Sequence, residues 1–125
     1  MIDVRTTVWG RVSHIPYEKI ARAVLGARYE LSLVICGDYL AQRMNKEYRH
    51  KTYFPNVLSF PLSKTEGEIF LNVRKAEREA RALGISVRER LALLFVHGLF
   101  HLKGLNHGPR MESLEQSVLK KCGFR

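Results

Sequence analysis

Three histidines in the last third of the chain have the spacing of a metal site. His97 and His101 are four residues apart, so on an α-helix they point the same way. Gly104 can adopt the positive φ that ends a helix and reverses the chain, which would return His107 toward them. Three imidazoles from a helix and its following turn leave the fourth tetrahedral position of Zn²⁺ open for water. The spacing predicts one Zn²⁺ per chain; the alternative is three ordinary histidines near a buried helix.

The same spacing occurs in zinc proteases that carry H-E-x-x-H-x-x-G-x-x-H. In this chain Gly98 stands where those enzymes have the glutamate that serves as general base. The chain therefore keeps the metal ligands but lacks the proteolytic base, so a zinc protease is the least favoured interpretation. A glycine inside a helix costs about 1 kcal/mol relative to alanine, which indicates that this position needs a small residue.

Composition and charge favour one basic domain with a polyanionic partner. The 125 residues are 46% hydrophobic and carry a net charge of +9. That length and hydrophobic content predict a single domain with one core. A surface of this charge attracts polyanions, of which nucleic acid is the commonest; the alternative is a basic protein that is merely soluble.

The cysteines and the N-terminus favour a cytoplasmic location. Cys36 and Cys122 lie among apolar neighbours and form no C-x-x-C pair, which predicts buried thiols in a reducing compartment and not metal ligands. The N-terminus has no apolar signal region. The most apolar run, residues 91–102, is too short to cross a bilayer. We therefore expect no membrane contact.

The apolar pattern alternates between strands and helices. It predicts strands over residues 2–8, 31–36, 57–60 and 68–73, the last two forming an antiparallel hairpin. Helices are predicted between Pro16 and Gly26, from Asp38 as N-cap to Tyr48, from Arg74 to Gly84, after a capping box at residues 86–89, and from Pro109 to Gly123. The fold class is α+β (α/β-like), with about four strands in a small mixed sheet packed by about five helices.

Residues 49–56 are predicted to form a basic and aromatic loop. Basic side chains can follow phosphates and aromatic rings can stack on bases, although a solvated loop is an equally good interpretation. The candidate RNA-binding side chains flank the proposed metal site: Lys51, Arg74, Lys75 and Arg78. Glu77 and Glu79 interleave with the last three, so that helix face could instead be salt-bridged to itself.

Two separated stretches resemble the YbeY family, the bacterial rRNA maturation factors. Residues 97–107 read HGLFHLKGLNH and resemble its H-G-x-L-H-L-x-G-Y-D-H pattern. Residues 48–51 and 55–61 read YRHK and PNVLSFP and resemble Y-R-x-K-D-x-P-T-D-V-L-S-F-P. The strand beginning at Gly67 resembles the family's G-D-I segment. The resemblance runs from Leu40 to the C-terminus in the family's order, whereas the N-terminal third matches only in the order of its elements.

The resemblance implies that residues 1–125 are a single YbeY-like metal-dependent endoribonuclease domain, a hydrolase that cuts single-stranded RNA. It implies action in 16S rRNA 3′-end maturation and ribosome quality control, with the small ribosomal subunit and its proteins as partners. His97, His101 and His107 match the zinc ligands, and Arg49 matches an arginine assigned to the active site, where it would contact the scissile phosphate.

The chain departs from the family pattern at five positions near the predicted site: Pro55, Asn56, Phe100, Leu105 and Asn106. Asn106 replaces an aspartate that could orient an imidazole, so Ser59 and Asn106 are the candidate partners behind the metal ligands. Since Gly98 replaces the glutamate, no protein base is evident. The alternative function is a non-catalytic, zinc-containing RNA-binding factor in ribosome assembly.

Overall fold

Four strands form one mixed sheet whose order is β1-β2-β4-β3. The computed structural model describes residues 1–124. The strands are β1 (Ile2–Thr6), β2 (Glu30–Cys36), β3 (Val57–Pro61) and β4 (Glu66–Asn72). β2 pairs in parallel with both β1 and β4, and β3 pairs antiparallel with β4. The predicted hairpin and the central position of the second strand are therefore confirmed.

Five helices pack on this sheet: α1 (Tyr17–Leu25), α2 (Asp38–Arg49), α3 (Val73–Leu83), α4 (Val87–Leu102) and α5 (Pro109–Lys121). The glycines that follow α1 and α3, Gly26 and Gly84, have φ values of 88° and 70°. Ser86 caps α4, because its hydroxyl accepts a hydrogen bond from the Glu89 N–H. The α+β class and the number of elements agree with the sequence-based expectation.

Both faces of the sheet are covered. Along β2, Ile35 belongs to the large core beneath α1, α4 and α5, whereas its neighbour Cys36 belongs to a smaller core beneath α2. Ile69 and Phe70 of β4 divide between the two cores in the same way. This alternation explains the continuous apolar sequence of β2, since a strand buried on both faces has no polar side. Both cysteines are buried free thiols.

Three predicted boundaries are wrong in informative ways. β1 ends at Thr6 instead of Val8, and β4 ends at Asn72 because the Asn72 side chain caps α3 by accepting from the Lys75 N–H. The N-cap of α2 is Gly37 and not Asp38. The Asp38 carboxylate turns outward from its own helix.

Asp38 bonds other elements in place of capping α2. It accepts hydrogen bonds from the Arg78 guanidinium at 2.8 and 2.9 Å and from the Asn72 amide at 2.9 Å. The bond from Arg78 holds the pKa of the Asp38 carboxyl below its usual range. A charged, bidentate partner on α3 has thus outcompeted the local cap. Within residues 1–124, no helix has the combined length and apolarity that crossing a bilayer requires.

Candidate metal centre

Helix α4 approaches the hairpin closely at Gly98. A Cβ atom at this position would lie 3.0 Å from the Ser59 hydroxyl and 3.1 Å from a methyl group of Val57. The Ser59 hydroxyl donates a hydrogen bond of 2.9 Å to the Gly98 carbonyl. The small residue therefore allows α4 to lie directly on β3, which places the histidine-bearing side of the helix beside the cleft next to that strand.

His97 and His101 face each other across one helical turn. Their Nε2 atoms lie 3.0 Å apart, and their rings are nearly perpendicular at 82°. On the far sides of the rings, His97 Nδ1 lies 2.7 Å from a Glu115 carboxylate oxygen, and His101 Nδ1 lies 3.1 Å from the Leu105 carbonyl oxygen. A carbonyl oxygen and an ionised carboxylate can only accept, so both Nδ1 atoms carry the proton.

When both rings are neutral and carry their proton on Nδ1, the two Nε2 atoms that face one another are both acceptors. Two lone pairs at 3.0 Å repel unless a proton or a metal ion lies between them. In a tetrahedral zinc site with Zn–N bonds near 2.0–2.1 Å, neighbouring nitrogen atoms are about 3.3 Å apart, close to the observed separation. Burial lowers the pKa of His101, which favours the neutral imidazole that a metal ion binds.

His107 lies beside this pair without closing the site. Its ring centroid is 5.5 Å from that of His97, but its Nε2 atom is 3.6 Å from a Glu112 oxygen. As the side chains stand in residues 1–124, no three His, Cys, Asp or Glu residues surround a common point as metal ligands would. The His107 side chain is 67% exposed, so it is free of the packing that would prevent a rotation toward the other two rings.

Arg49 opens onto the same cleft as the first two histidines. The cleft has a volume of about 460 Å³ and is lined by Arg49, Tyr53, Pro55, Asn56, Val57, Ser59, His97 and His101. Arg49 is exposed at the end of α2, and Ser59 reaches the cleft from β3. The structure therefore brings Arg49 to the same cleft as His97 and His101, which are 48 and 52 positions away in the sequence, as the metal-and-arginine hypothesis requires.

The two candidate partners behind the imidazoles have other roles in the structure. The Ser59 hydroxyl bonds the Gly98 carbonyl and not an imidazole. Asn106 is exposed in the turn after α4, and the oxygen atoms behind the imidazoles belong to Leu105 and Glu115. The Leu105 carbonyl and the Glu115 carboxylate thus accept from the Nδ1 atoms, in the role that the sequence suggested for Ser59 and Asn106.

Glu115 on α5 is not among the candidate residues that the sequence identifies. Its side chain is 5% exposed, and within residues 1–124 it is the one acidic residue that is buried. A signal for this was present, because Glu115 lies four residues after Met111 and four before Leu119, which are both buried. The helical period therefore places Glu115 on the core-facing side of α5, where a carboxylate requires a partner.

The basic residues of α3 do not line the cleft. Arg74 bonds Glu77 at 3.1 Å and the Trp9 carbonyl at 2.7 Å, and Arg78 is engaged by Asp38. The salt-bridged alternative for this helix face describes Arg74 and Arg78. Lys75 lies in the first turn of the same helix. Lys51, in contrast, is exposed two residues after Arg49.

The match to known proteins covers nearly the whole fold. The sequence model of the family described as Endoribonuclease YbeY matches residues 9–123. The chain belongs to the endoribonuclease YbeY family. The resemblance seen in two motifs thus extends into the N-terminal third, including α1 and β2.

Two bacterial members of this family are similar to the chain over most of their length. The Endoribonuclease YbeY of Geobacter metallireducens is 34% identical over 120 residues, covering 80% of this chain and 80% of the relative. That of Acidovorax sp. is 33% identical over 122 residues, covering 88% of this chain and 80% of the relative. The solution structure of TM1509 from Thermotoga maritima shares the fold, with a TM-score of 0.68, 20% identity and coverage of 98% of this chain and 89% of that one.

Proposed function

We propose that this YbeY family member is a metal-dependent endoribonuclease that hydrolyses phosphodiester bonds of single-stranded RNA. The proposal includes one Zn²⁺ per chain on His97, His101 and His107, and a single catalytic domain over the chain. The observation that carries it is the approach of the His97 and His101 Nε2 atoms to 3.0 Å, while both Nδ1 atoms are bonded to oxygen atoms on the other side of each ring. Family membership supports the nuclease activity, since relatives are named as endoribonucleases.

The donor set suits zinc. Neutral imidazoles are borderline ligands that Zn²⁺ accepts in tetrahedral sites, and three protein ligands leave the open position typical of catalytic zinc. When bound, Zn²⁺ supplies a Lewis acid and lowers the pKa of a bound water to about 7. The Glu115 carboxylate and the Leu105 carbonyl would keep the ligand rings oriented by holding their Nδ1 protons.

Arg49 is the residue that we assign to the substrate phosphate. Its guanidinium opens onto the cleft that His97 and His101 also line. A guanidinium can bind two phosphate oxygens through parallel hydrogen bonds and stays charged at every accessible pH. Arg49 would therefore orient the scissile phosphate and offset the negative charge that increases on it in the transition state. Ser59 fixes the wall of the cleft through Gly98 and takes no proton in this scheme.

The biological role we propose is 3′-end maturation of small-subunit rRNA in the cytoplasm, with the small ribosomal subunit and its proteins as partners and with a part in ribosome quality control. The net charge of +9 supports an RNA partner. Relatives from several bacteria that are named Endoribonuclease YbeY support a role in RNA processing.

One observation favours a second candidate, the non-catalytic RNA-binding assembly factor. Among the described residues that line the cleft there is no Asp or Glu to act as a general base. A protease is disfavoured more strongly, because a side chain at position 98 would meet Ser59 and Val57 instead of the metal site. The nuclease remains the better proposal, because metal ions can generate the attacking nucleophile without a protein base.

The deciding experiment measures metal content and RNA cleavage on one purified sample of wild type and of His101→Ala. We expect about one zinc per chain in wild type, and loss of most of the metal and of the cleavage in the variant. His14→Ala, a histidine outside the cleft lining, is the matched control. Full zinc in His101→Ala would contradict the metal assignment. Equal cleavage by both variants would instead assign the activity to a contaminant and favour the assembly factor.

A further inference from the structure

The end of α2 and the loop that follows it form an exposed aromatic and basic surface, which we call the aromatic segment (residues 48–54). Tyr48, Tyr53 and Phe54 are 63%, 52% and 41% exposed. The segment has no acidic residue, and its basic side chains are Arg49, His50 and Lys51. Three large rings exposed within seven residues are unusual for a surface that only contacts water, because each ring leaves apolar area unburied.

The loop part of this segment is held in one shape. The Gln42 side chain donates a 2.7 Å hydrogen bond to the Thr52 carbonyl, and the fully buried Asn45 donates one of 3.1 Å to the Tyr53 carbonyl. His50 has the left-handed backbone angle of φ 58° that turns the chain away from α2. Two side chains of α2 thus fix the backbone of the loop that follows the helix, so this backbone needs little ordering when a ligand binds.

The rings are also supported from below and lie next to the cleft. Tyr48 packs on Phe60 with a centroid distance of 5.5 Å, and Phe60 packs on the buried Phe70 at 5.9 Å. This leaves the outer side of Tyr48 open while its inner side is anchored to the sheet. Tyr53 lines the cleft together with Arg49. The surface is therefore continuous with the place where the phosphate is proposed to bind.

We infer that the aromatic segment stacks the unpaired bases that flank the phosphate held by Arg49. The inference rests on the proposed function and adds where the bases go. Its occupant is single-stranded RNA, because exposed rings stack on base faces that a duplex hides, while the surrounding positive charge attracts the backbone. An acidic peptide would find the same charge but no use for flat, exposed rings fixed in position. The segment would thereby select single strands before any bond is cut.

The test measures equilibrium binding of a short, fluorescently labelled single-stranded RNA, checked on a gel to be intact after each titration. The variants are Tyr53→Ala, Tyr53→Leu and Tyr53→Phe. Removal of a stacking ring is expected to lower affinity by about 5-fold or more for Ala and for Leu. Tyr53→Phe keeps the ring and should bind like wild type. Tyr39→Ala is the matched control, because Tyr39 is 75% exposed and lies in the first turn of α2, at the end of the helix away from the aromatic segment.

Inorganic polyphosphate, which has charge but no bases, separates stacking from attraction. We expect it to compete equally well against wild type and Tyr53→Ala. Wild-type RNA affinity in Tyr53→Ala and Tyr53→Leu would overturn the inference and leave the segment to a protein partner. Equal losses for RNA and polyphosphate, or an equal loss in Tyr39→Ala, would also overturn it. Cleavage is measured in a separate assay, with longer incubation of the same proteins with RNA. Binding without cleavage in that assay would contradict the nuclease and leave the stacking surface intact.

Discussion

Three polar side chains are buried within residues 1–124, namely Asn45, Asn72 and Glu115. Asn45 holds the Tyr53 carbonyl, Asn72 donates to the Pro55 carbonyl, and Glu115 holds His97. Each of these bonds fixes a residue that lines the cleft. Burying a polar group costs free energy unless it is hydrogen-bonded. These hydrogen bonds offset much of that cost at the positions that shape the site.

The first prediction concerns the Glu115 carboxylate, which is bonded to His97 Nδ1. Glu115→Gln keeps a hydrogen-bond acceptor at 115 but removes the negative charge that makes the imidazole a better ligand, so zinc affinity should fall by roughly 10-fold or more. Competition with a chromogenic chelator measures the change. Glu18→Gln removes an equal charge at a carboxylate that is 66% exposed and serves as the control. Equal zinc affinity in both variants would mean that Glu115 only fills space.

Replacing Arg49 is predicted to affect catalysis and to leave the fold unchanged. Its side chain is exposed, so Arg49→Ala should keep wild-type zinc content and thermal stability. Loss of a donor to the transition-state charge should lower the cleavage rate by roughly 100-fold. Arg49→Lys should recover only part of it, because an ammonium group cannot reproduce the planar fork. Cleavage by Arg49→Ala at the wild-type rate would assign Arg49 to the solvated surface.

The residues that the sequence identified were those with a strong local pattern. His97 and His101 share a helix face by their spacing alone, and Arg49 was found through a motif. Glu115 was missed as a partner of His97 because the two are 18 residues apart on different helices. Only the packing of α5 against α4 brings them together, and no pattern within either helix encodes that contact.

At the scale of the elements, the contact between α4 and β3 decides where the histidines lie. Gly98 brings the helix close enough for its carbonyl to accept from the Ser59 hydroxyl. A Cβ there would also lie 3.3 Å from Ile69 on β4. The atoms that a Cβ would meet belong to side chains of two strands that are paired along their length. Room for it would come from small shifts of these side chains or from an outward shift of the helix together with His97 and His101.

Gly98→Ala therefore tests the contact. Alanine favours the helix by about 1 kcal/mol, whereas overpacking costs about 1–3 kcal/mol. We expect a net decrease of about 1 kcal/mol in the free energy of unfolding by urea, together with weaker zinc binding. Adding Val57→Ala should make the Gly98→Ala change less costly, since it removes the nearest methyl group. A Gly98→Ala protein more stable than wild type would show that the interface is loose.

Helix ends were predicted well where the signal is local and poorly where a distant partner competes. Gly26, Gly84 and Ser86 end or begin helices as their conformational preferences require. Asp38 has an equally good local signal, yet it bonds Arg78 on another helix. The order of the strands is likewise not a local property, since β4 lies next to β2 although α2 and β3 intervene between them in the chain.

Over the whole molecule, only some of the basic groups behind the net charge of +9 are free to bind a polyanion. Arg78 is bound to Asp38, and Arg90 donates to Glu79 with side chains that are 18% and 23% exposed. Arg74 bonds Glu77. Arg74, Arg78 and Arg90 are therefore engaged by carboxylates of the fold itself. Arg49 and Lys51, beside the cleft, are the exposed positive charges that we expect a polyanion to contact.

This distribution leads to a prediction about salt. RNA binding releases counterions, so affinity should fall linearly on a log–log plot against salt, with a slope near −0.7 for each phosphate contacted in a single strand. Arg49→Ala should make the slope shallower by about 0.7. Arg78→Ala changes the net charge equally but removes a group bound to Asp38, so its slope should match wild type although its stability falls. Titrations of labelled RNA from low to moderate salt measure both slopes. If the two variants shift the slope equally, affinity depends on total charge, and the cleft holds no phosphate of its own.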